Sequence, residues 1–329
     1  MLINVAIVGV TSWGITLADL LVKNGLNVTI CARNKEDVED FTNKRLKIFS
    51  SNNLKKFQEI NITTEYYENL KNADMVLISV PSKSFRNNIQ NIKQYLSGSA
   101  LLISATKGLE INTSMRMSQI LYDELQSNQY RGISVLSGPN LAAEIIQEIP
   151  SSTVIASDNK RITLEVRKFF SSKFFHVYTS SDVIGVEFGG ALKNIIAIGV
   201  GICYGLKYGN NTVATFITSG FNEMIKLGLA CGALEKTFLG FSGLGDLITT
   251  CSSNLSRNRY VGEQLAIGKS IFDIKKSMSN VAEGVDTIFA AQNLSELHNL
   301  DLPIINGIYN IVFNYESPDY VIKNLTNPI

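Results

Sequence analysis

Lys193 and Asn194 are the first residues that could perform chemistry, because they interrupt a mostly apolar, glycine-rich stretch, residues 185–206. If this stretch is one helix, positions three, four and seven apart share a face. That face presents a narrow stripe of small, cationic and amide residues: Gly190, Lys193, Asn194 and Ala197. An unpaired lysine is costly to bury. Either Lys193 therefore reaches outward to solvent, or it faces a polar site that holds water or a ligand.

A second set of polar residues lies in a glycine-rich stretch, residues 240–251, which contains Asp246 and Thr250. Residues 256–259, with the sequence SRNR, follow shortly after it and include Arg257. Such segments normally form loops on the protein surface, where binding residues are common. The stretch is therefore either a binding loop or a plain connector between helices.

The first half of the chain predicts the elements that would position a nucleotide. A strand, a glycine turn, a helix and a second strand follow one another within about thirty residues, which is typical of the βαβ unit of a doubly wound sheet. Further apolar runs continue the alternation of strands and helices. The strands that we predict are residues 3–8, 27–31, 60–64, 74–80, 100–105, 132–136, 153–156 and 174–179.

The turn after the first predicted strand, GVTSWG, runs from Gly9 to Gly14. In a dinucleotide site the first glycine makes the tight turn, the second lets the backbone approach the pyrophosphate, and the third allows close helix packing. Thr11 stands where the second glycine is expected, so it either crowds the cofactor or adds a hydroxyl contact. Taken alone, this degenerate turn also fits a plain connection from strand to helix.

Two cations follow predicted strands at the end where ligands bind in open α/β sheets. Arg33 lies just after the second strand, where an NAD-selective site usually has an acidic residue, and it therefore favours the 2′-phosphate of NADPH. An ordinary surface arginine explains the same position equally well. Lys107 follows the strand at residues 100–105 and is a candidate contact for a cofactor or an anionic substrate.

After residue 180 the apolar pattern predicts helices only. The helical segments that we predict are residues 185–206, 211–229, 263–266, 271–278, 285–294 and 304–313. A chain of 329 residues is long for a single core. We therefore predict an α/β domain at residues 1–180 and an all-helical domain at residues 181–329.

Composition argues against several classes of function. The 30 basic and 29 acidic residues leave a net charge of +1, which does not favour binding of nucleic acid or of a membrane surface. Four scattered cysteines without a CxxC pair indicate neither a metal site nor a disulfide framework, and they favour a cytoplasmic location. The N-terminus lacks a signal-peptide pattern. The uncharged run at residues 195–206 is too short to span a bilayer, so we expect no stable membrane insertion.

Seven motifs, in this order, make the chain resemble the bacterial NAD(P)-dependent glycerol-3-phosphate dehydrogenases. They are GVTSWG (9–14), SATKGLE (104–110), LSGPNLAAE (136–144), GALKN (190–194), GLGDLITT (243–250), SRNR (256–259) and VAEG (281–284). The resemblance implies an N-terminal Rossmann-type doubly wound α/β sheet and an all-α C-terminal domain for substrate binding and catalysis. It also implies reversible reduction of dihydroxyacetone phosphate to sn-glycerol 3-phosphate, a precursor of glycerophospholipids. The enzyme would be a cytoplasmic homodimer that uses NADPH or NADH, and Arg33 favours NADPH.

The resemblance also assigns residues to roles. Lys193 becomes the catalytic lysine that protonates the substrate oxygen, Asp246 orients it, and Lys107 adds positive charge near the carbonyl. The implied cofactor contacts are Gly9, Ser12, Trp13, Gly14, Arg33, Lys107, Ala142, Arg257, Val281 and Glu283. The implied substrate contacts are Lys107, Gly138, Asn140, Lys193, Asn194, Asp246, Thr250, Ser256, Arg257 and Asn258. Arg257 and Asn258 match the phosphate-binding pair, and no metal is implied.

The chain departs from the family pattern at two positions. Thr11 replaces a glycine of the nucleotide fingerprint, which puts cofactor affinity in doubt, and we expect Thr11→Gly to tighten NADPH binding. Asn140 stands where Thr or Ser is usual, which puts a substrate contact in doubt.

Two other functions stay open at this point. A β-hydroxyacid dehydrogenase acting on another substrate has a similar architecture, but its asparagine is expected one turn after the lysine, where this chain has Ala197. A dinucleotide sensor without catalysis would explain Thr11, although it would not need Lys193 as a proton donor.

Overall fold

The computed structural model describes residues 3–48, 60–278 and 282–326, with side chains described except at 42–48 and 326. The chain divides into two compact units, Met1–Thr106 with Met117–Val183 and Lys107–Arg116 with Ile184–Ile329. The domain limits 1–180 and 181–329 stay a prediction. The segment Lys107–Arg116 departs from them, because its Leu109 is fully buried in the hydrophobic core of the helical unit.

The first unit contains one eight-stranded sheet with the strand order β3-β2-β1-β4-β5-β6-β7-β8. This architecture confirms the predicted fold class. The central strands are buried on both faces, as expected for a parallel sheet covered by helices. The strands are β1 (Asn4–Val8), β2 (Asn27–Cys31), β3 (Asn61–Thr63), β4 (Met75–Ile78), β5 (Leu101–Ser104), β6 (Gly132–Ser137), β7 (Ser151–Ala156) and β8 (Phe175–Ser180).

Strand β7 runs antiparallel to β6, whereas the other paired strands are parallel. Parallel neighbours need a long crossover connection. Only the short helix α6 (Ala142–Ile146) lies between β6 and β7, so the chain turns back beside β6. The other helices of this unit are α1 (Ser12–Lys23), α2 (Lys35–Ile48), α3 (Tyr66–Lys71), α4 (Phe85–Ile92), α5 (Met117–Glu124) and α7 (Lys160–Phe170).

The strand order reverses at β1, which pairs with β2 on one side and with β4 on the other. In doubly wound sheets, ligands bind beyond the carboxyl ends of the strands at such a reversal point. Gly9 follows β1, and Ser79 follows β4. The loops that begin at these two residues are therefore the expected nucleotide-binding edge of this unit.

The second unit is helical and is organised around α8 (Val183–Gly205). By length and composition this helix could cross a membrane, but 89% of its most apolar window is buried inside the protein. Its apolar residues belong to the core of the helical unit. The helices that follow are α9 (Asn210–Ala230), α10 (Glu235–Phe238), α11 (Asp246–Ser252), α12 (Arg257–Ala266), α13 (Ile271–Ser277), α14 (Glu283–Leu297), α15 (Pro303–Phe313) and α16 (Pro318–Thr326).

The prediction of a surface loop at residues 240–251 is wrong. The segment forms a π-helical turn, Phe241–Gly245, that leads directly into α11. Leu247 and Cys251 are buried in the core, which the high glycine content of the segment obscured in the sequence. Gly243 is required here, because a Cβ atom would lie 2.1 Å from the Phe238 carbonyl oxygen.

Helices α8 and α12 approach each other closely at two glycines. A Cβ atom on Gly262 would lie 1.9 Å from the carbonyl oxygen of Ile198, and one on Gly201 would lie 2.0 Å from that of Arg259. These contacts are with backbone atoms, which cannot rotate away. Helix α12 therefore lies against α8 only because both positions lack side chains.

We predict that Gly262→Ala lowers the free energy of unfolding by about 1–3 kcal/mol, because the added methyl group overpacks a contact between two backbones. Urea unfolding followed by circular dichroism measures this change. Gly209→Ser is the control, since a Cβ there meets no heavy atom within 4 Å among the described residues. An unchanged urea midpoint for Gly262→Ala would contradict the close helix packing.

Candidate active site

A buried cluster of charges in the helical unit brings together the three residues assigned to catalysis. Lys193 Nζ donates to Asp246 Oδ1 at 2.5 Å and to Thr250 Oγ1 at 2.6 Å. Lys107 Nζ donates to the other oxygen of the same carboxylate, Asp246 Oδ2, at 2.7 Å. Asp246 is 1% exposed and Lys193 is 6% exposed. One carboxylate therefore bridges two lysines, and the three side chains carry a net charge of about +1 when all are ionised.

The alternative in which Lys193 reaches outward to solvent is wrong, because its ammonium is buried and paired. An ammonium has three N–H donors. Two of them bind Asp246 and Thr250, and in the part of the chain that the structure describes no acceptor binds the third. Lys193 thus keeps one donor for a ligand while its charge is compensated by Asp246.

The position of Asp246 depends on a close approach between two segments at a glycine of α8. A Cβ atom on Gly189, one turn before Lys193 in α8, would lie 2.4 Å from the carbonyl oxygen of Ser242. Ser242 belongs to the π-helical turn that ends just before Asp246. This close approach lets Asp246, the first residue of α11, reach the ammonium group of Lys193.

Thr250 lies one turn after Asp246 on α11. Its hydroxyl donates to the backbone carbonyl of Asp246 at 2.7 Å, so it accepts the hydrogen bond from Lys193. The direction of both hydrogen bonds is thereby fixed. Thr250 acts as a neutral second acceptor and holds the ammonium in one orientation.

Burial and neighbouring charges set the pKa of Lys193. Burial lowers this pKa to about 8, the charge of Asp246 opposes the change, and the positive charge of Lys107 adds to it. A lysine in this range exchanges its proton near neutral pH far more readily than an exposed lysine does. The cluster therefore has the properties of an acid–base site.

Asn194 and Asn258, both assigned to the substrate, bind each other. Asn258 Nδ2 donates to Asn194 Oδ1 at 2.8 Å, and Asn258 Oδ1 accepts from the N–H of Gly284 at 3.0 Å. These contacts tie α8, α12 and α14 together. Ser256 caps α12 by accepting from the Arg259 N–H, and Arg257 is exposed on the first turn of that helix.

Several residues assigned to the cofactor, among them Gly9, Ser12 and Trp13, lie in a tight turn after β1 and in the start of α1. Gly9 has φ = +112°, which strongly favours glycine, and a Cβ there would lie 2.4 Å from the Ser79 carbonyl oxygen. In the first turn of α1 the backbone N–H groups of Ser12 and Trp13 have no helical acceptor. The indole Nε1 of Trp13 is buried and has no hydrogen-bond partner among the described residues. The turn therefore fits the pyrophosphate of a dinucleotide.

Arg33 is 68% exposed and its guanidinium group binds the carboxylate of Asp37, with Nε to Oδ2 at 2.8 Å and Nη2 to Oδ1 at 3.1 Å. The residues directly beside Arg33 in the sequence are not acidic, yet its side chain is paired with an acidic residue. Asp37 lies one helical turn further on, where i,i+4 spacing brings the two side chains together. A 2′-phosphate would have to compete with Asp37 for Arg33.

Asn140, assigned to the substrate, binds strand β7. Its Nδ2 donates to the Ser152 carbonyl at 2.9 Å, and its Oδ1 accepts from Thr153 Oγ1 at 2.9 Å. Gly138 packs against the same strand, because a Cβ atom there would lie 2.9 Å from Thr153 Cα. In this structure the Asn140 side chain therefore fastens the loop after β6 to β7.

The remaining assigned residues lie at the starts of helices. Ala142 begins α6 in the first unit, and Glu283 begins α14 in the second. Val281 lies outside the described residues. The assigned residues thus form two groups, one in each unit. Gly9, Ser12, Trp13, Gly14, Arg33, Gly138, Asn140 and Ala142 lie in the first, and Lys107, Lys193, Asn194, Asp246, Thr250, Ser256, Arg257, Asn258 and Glu283 lie in the second.

Three residues that hold the assigned ones in place were not predicted from the sequence: Asp37, Ser79 and Thr153. Asp37 could have been found from its i,i+4 spacing to Arg33. Ser79 contacts the nucleotide turn, and Thr153 binds Asn140, over 68 and 13 positions of the chain respectively. No local pattern marks these two contacts, because they depend on how the strands pair.

Comparisons with known proteins identify the family to which the chain is similar. A model of the NAD-dependent glycerol-3-phosphate dehydrogenase N-terminus matches residues 4–163, and a model of the C-terminus matches residues 182–323. The chain is 44% identical to a glycerol-3-phosphate dehydrogenase (NAD(P)+) of Dehalococcoides mccartyi, over 98% of this chain and 90% of that one. It is 39% identical to the protein of the same name from Syntrophotalea carbinolica, over 98% of this chain and 97% of that one.

A solved structure extends the comparison to the fold. The crystal structure of glycerol-3-phosphate dehydrogenase from Coxiella burnetii matches with a TM-score of 0.91 and 29% identity, and the match covers 99% of both chains. The family models together span most of the described sequence, and the relatives match over nearly its full length. The chain therefore belongs to the NAD-dependent glycerol-3-phosphate dehydrogenase family.

Proposed function

We propose that this chain is an NAD(P)H-dependent enzyme that reduces dihydroxyacetone phosphate to sn-glycerol 3-phosphate, reversibly, and so supplies glycerophospholipid synthesis. The observation that carries the proposal is the buried lysine of α8, paired with Asp246 and Thr250 and left with one N–H donor, in a chain of this family. When bound, the nicotinamide supplies the hydride.

Lys193 acts as the general acid in the reductive direction. Negative charge develops on the substrate oxygen as the carbonyl is reduced, and the lysine donates its proton there. In the oxidative direction the neutral amine accepts the proton. Asp246 keeps Lys193 oriented, and Lys107, on the other carboxylate oxygen, adds positive charge that stabilises the developing alkoxide.

The phosphate of the substrate is a dianion, and the helical unit offers cations for it. Arg257 is exposed on the first turn of α12, where its planar guanidinium group and the backbone N–H groups of the helix start both favour phosphate. The pairing of Asn258 with Asn194 fixes α12 against α8. We therefore assign Arg257 to direct phosphate binding and Asn258 mainly to holding Arg257 in position.

The dinucleotide would be held by the turn from Gly9 to Gly14 and by the first turn of α1, with Arg33 near the ribose of the adenosine. We propose that NADPH is preferred over NADH and that Asp37 limits this preference. We also propose that the enzyme is a cytoplasmic homodimer, with the α/β domain binding the dinucleotide and the helical domain carrying substrate binding and catalysis.

The alternatives lose support for separate reasons. Membership of the glycerol-3-phosphate dehydrogenase family does not favour a β-hydroxyacid dehydrogenase. A sensor without catalysis would have no need for a buried lysine, since burying charges is costly even when they are paired. The cluster of Lys193, Asp246 and Lys107 is easier to explain as a site that transfers a proton.

We predict that wild-type protein oxidises NADPH only when dihydroxyacetone phosphate is present, and that Lys193→Ala lowers kcat by about 10²- to 10⁴-fold, as expected for loss of a general acid. Absorbance at the nicotinamide band follows the reaction. Lys236→Ala, which removes an exposed lysine of the same unit, is the control and should retain activity. Absence of turnover from folded wild-type protein that binds NADPH would contradict the proposed substrate.

We predict that kcat for the reductive reaction falls above about pH 8, because the pKa of Lys193 is lowered to about 8 and only its protonated form is the acid. Lys107→Gln removes a nearby positive charge, so it should move this alkaline limb to higher pH. Asp246→Asn removes the counter-charge and should move the limb to lower pH. The measurement is kcat against pH for the three proteins, and shifts in the same direction for both variants would contradict this electrostatic arrangement.

We predict that Asp37→Asn increases the ratio of NADPH to NADH affinity by about 2- to 5-fold, because releasing Arg33 from a surface ion pair is worth up to about 1 kcal/mol. Arg33→Ala should lower the same ratio. Fluorescence titration of both cofactors against each variant gives the ratios. If Arg33→Ala leaves the ratio unchanged, Arg33 does not contact the 2′-phosphate.

A further inference from the structure

Thr11, which replaces a glycine of the nucleotide fingerprint, faces the interior of the first unit. Its Oγ1 accepts from the Gly14 N–H at 2.9 Å and lies 3.0 Å from the Ser79 carbonyl oxygen and 2.9 Å from Ser79 Oγ. A single hydroxyl satisfies all three contacts if it donates to the Ser79 carbonyl and accepts from the other two groups. Thr11 therefore connects the turn after β1 to the end of β4.

We infer that Thr11 and Ser79 form a latch that fixes the dinucleotide-binding turn before the cofactor arrives, and that Thr11 is a positioning residue for the cofactor. The inference rests on the proposed use of NAD(P)H. It goes beyond that function, because it gives a role to a residue that departs from the fingerprint. The latch is defined as Thr11 Oγ1 together with the Ser79 carbonyl and hydroxyl groups.

The backbone of Thr11 tolerates a side chain without strain. Its φ of −101° and ψ of 157° are ordinary extended values, so glycine is not required at this position. Gly9 differs, because its φ is +112°. The fingerprint glycine that matters for conformation is therefore Gly9, and replacing Thr11 by glycine would relieve no backbone strain while adding freedom to the backbone.

The surroundings of Ser79 leave little room for the turn to move. A Cβ atom on Gly14 would lie 2.9 Å from the Gly9 carbonyl oxygen and 3.4 Å from Ser79 Cβ. Ser79 itself is 3% exposed, and its N–H donates to the Val8 carbonyl. The turn and the end of β4 are thus packed against each other, and the hydroxyl of Thr11 joins them at their point of contact.

A second threonine makes a similar connection on the other side of β4. Thr106 Oγ1 donates to the Val80 carbonyl at 2.7 Å, and Thr106 Oγ1 also accepts from the Val80 N–H at 3.3 Å. Residues Ser79 and Val80 are therefore held from the end of β1 by Thr11 and from the end of β5 by Thr106. The carboxyl ends of three adjacent strands, where the dinucleotide is expected, are joined by side-chain hydroxyl groups.

If the turn is already ordered in the free protein, cofactor binding does not have to offset the loss of conformational entropy that ordering the turn would cause. Thr11 and glycine are about equally good helix N-caps, so the cap itself does not distinguish them. The difference lies in the link to Ser79, which glycine cannot make. The structure thus reverses the expectation from sequence, and Thr11→Gly should weaken NADPH binding rather than tighten it.

The test uses the full chain and the variants Thr11→Ser, Thr11→Val, Thr11→Gly, Ser79→Ala and the double variant Thr11→Val with Ser79→Ala. We expect Thr11→Ser to bind NADPH within about twofold of wild type, because it keeps the hydroxyl group. Thr11→Val and Thr11→Gly should bind NADPH about 5- to 10-fold more weakly, which is the range expected for loss of one hydrogen-bonded link. The double variant should bind no more weakly than Thr11→Val, since both changes break the same link. Thr163→Val, which removes a buried hydroxyl from α7, is the control and should not change NADPH affinity.

Amide hydrogen exchange of the free protein provides a second readout. We expect faster exchange of residues 9–17 in Thr11→Val and Thr11→Gly, and wild-type exchange in Thr11→Ser. Unchanged exchange, tighter NADPH binding by Thr11→Gly, or additive effects of Thr11→Val and Ser79→Ala would each overturn the latch. These measurements do not depend on turnover of dihydroxyacetone phosphate. Absence of that activity would contradict the proposed function, whereas the exchange rates would still show whether the latch orders the turn.

Discussion

The arrangement of α8 and α11 depends on the burial of one ammonium group, that of Lys193. A buried cation needs an anion and further hydrogen-bond acceptors, since leaving it unpaired costs several kcal/mol. Asp246 and Thr250 meet this need only because α11 begins beside α8. That placement requires Gly189, whose missing side chain admits the carbonyl of Ser242. Burial of the charge on α8 therefore depends on a small residue one turn earlier in the same helix.

The same principle operates in the α/β unit, where polar groups near the carboxyl ends of the strands bind one another. Thr11 binds Ser79, Thr106 binds Val80, and Asn140 binds Thr153. Each contact joins a side chain that follows one strand to a residue in or just after a neighbouring strand. Thr11 and Asn140 are the two positions at which the chain departs from the family pattern, and both side chains form hydrogen bonds within the unit. The departures are thus compatible with an ordered nucleotide-binding edge.

Much of the fold could be predicted because it depends on local patterns. The β-branched runs marked each strand of the sheet to within a few residues, and the uncharged stretch of α8 marked the central helix. Residues 240–251 could not be predicted in this way, because their glycines serve a close backbone contact while the same residues are also typical of loops. The antiparallel pairing of β6 with β7 was also missed, since the direction of a strand depends on the connection before it.

The residue types of the site could be read from the sequence, but their partners could not. Lys193 and Asp246 are 53 positions apart, and Lys107 and Asp246 are 139 positions apart, so no local spacing indicates that one carboxylate bridges two lysines. Before the structure, only the resemblance to a family assigned these three residues to one site. The partner of Arg33 is different, because Asp37 lies at i,i+4 spacing and could have been included.

In the mechanism that we propose, the bridging carboxylate would let Lys193 serve both directions of a reversible reaction. Burial and Lys107 favour the neutral amine, whereas Asp246 favours the ammonium, and the balance leaves the pKa of Lys193 at about 8. An ammonium with an ordinary lysine pKa would hold its proton too tightly to regain the neutral base near pH 7, and one without a counter-charge would rarely be protonated. With Asp246 between the two lysines, either form of Lys193 is accessible at little cost. In the proposed mechanism, these opposing effects on one buried nitrogen would allow proton transfer in both directions.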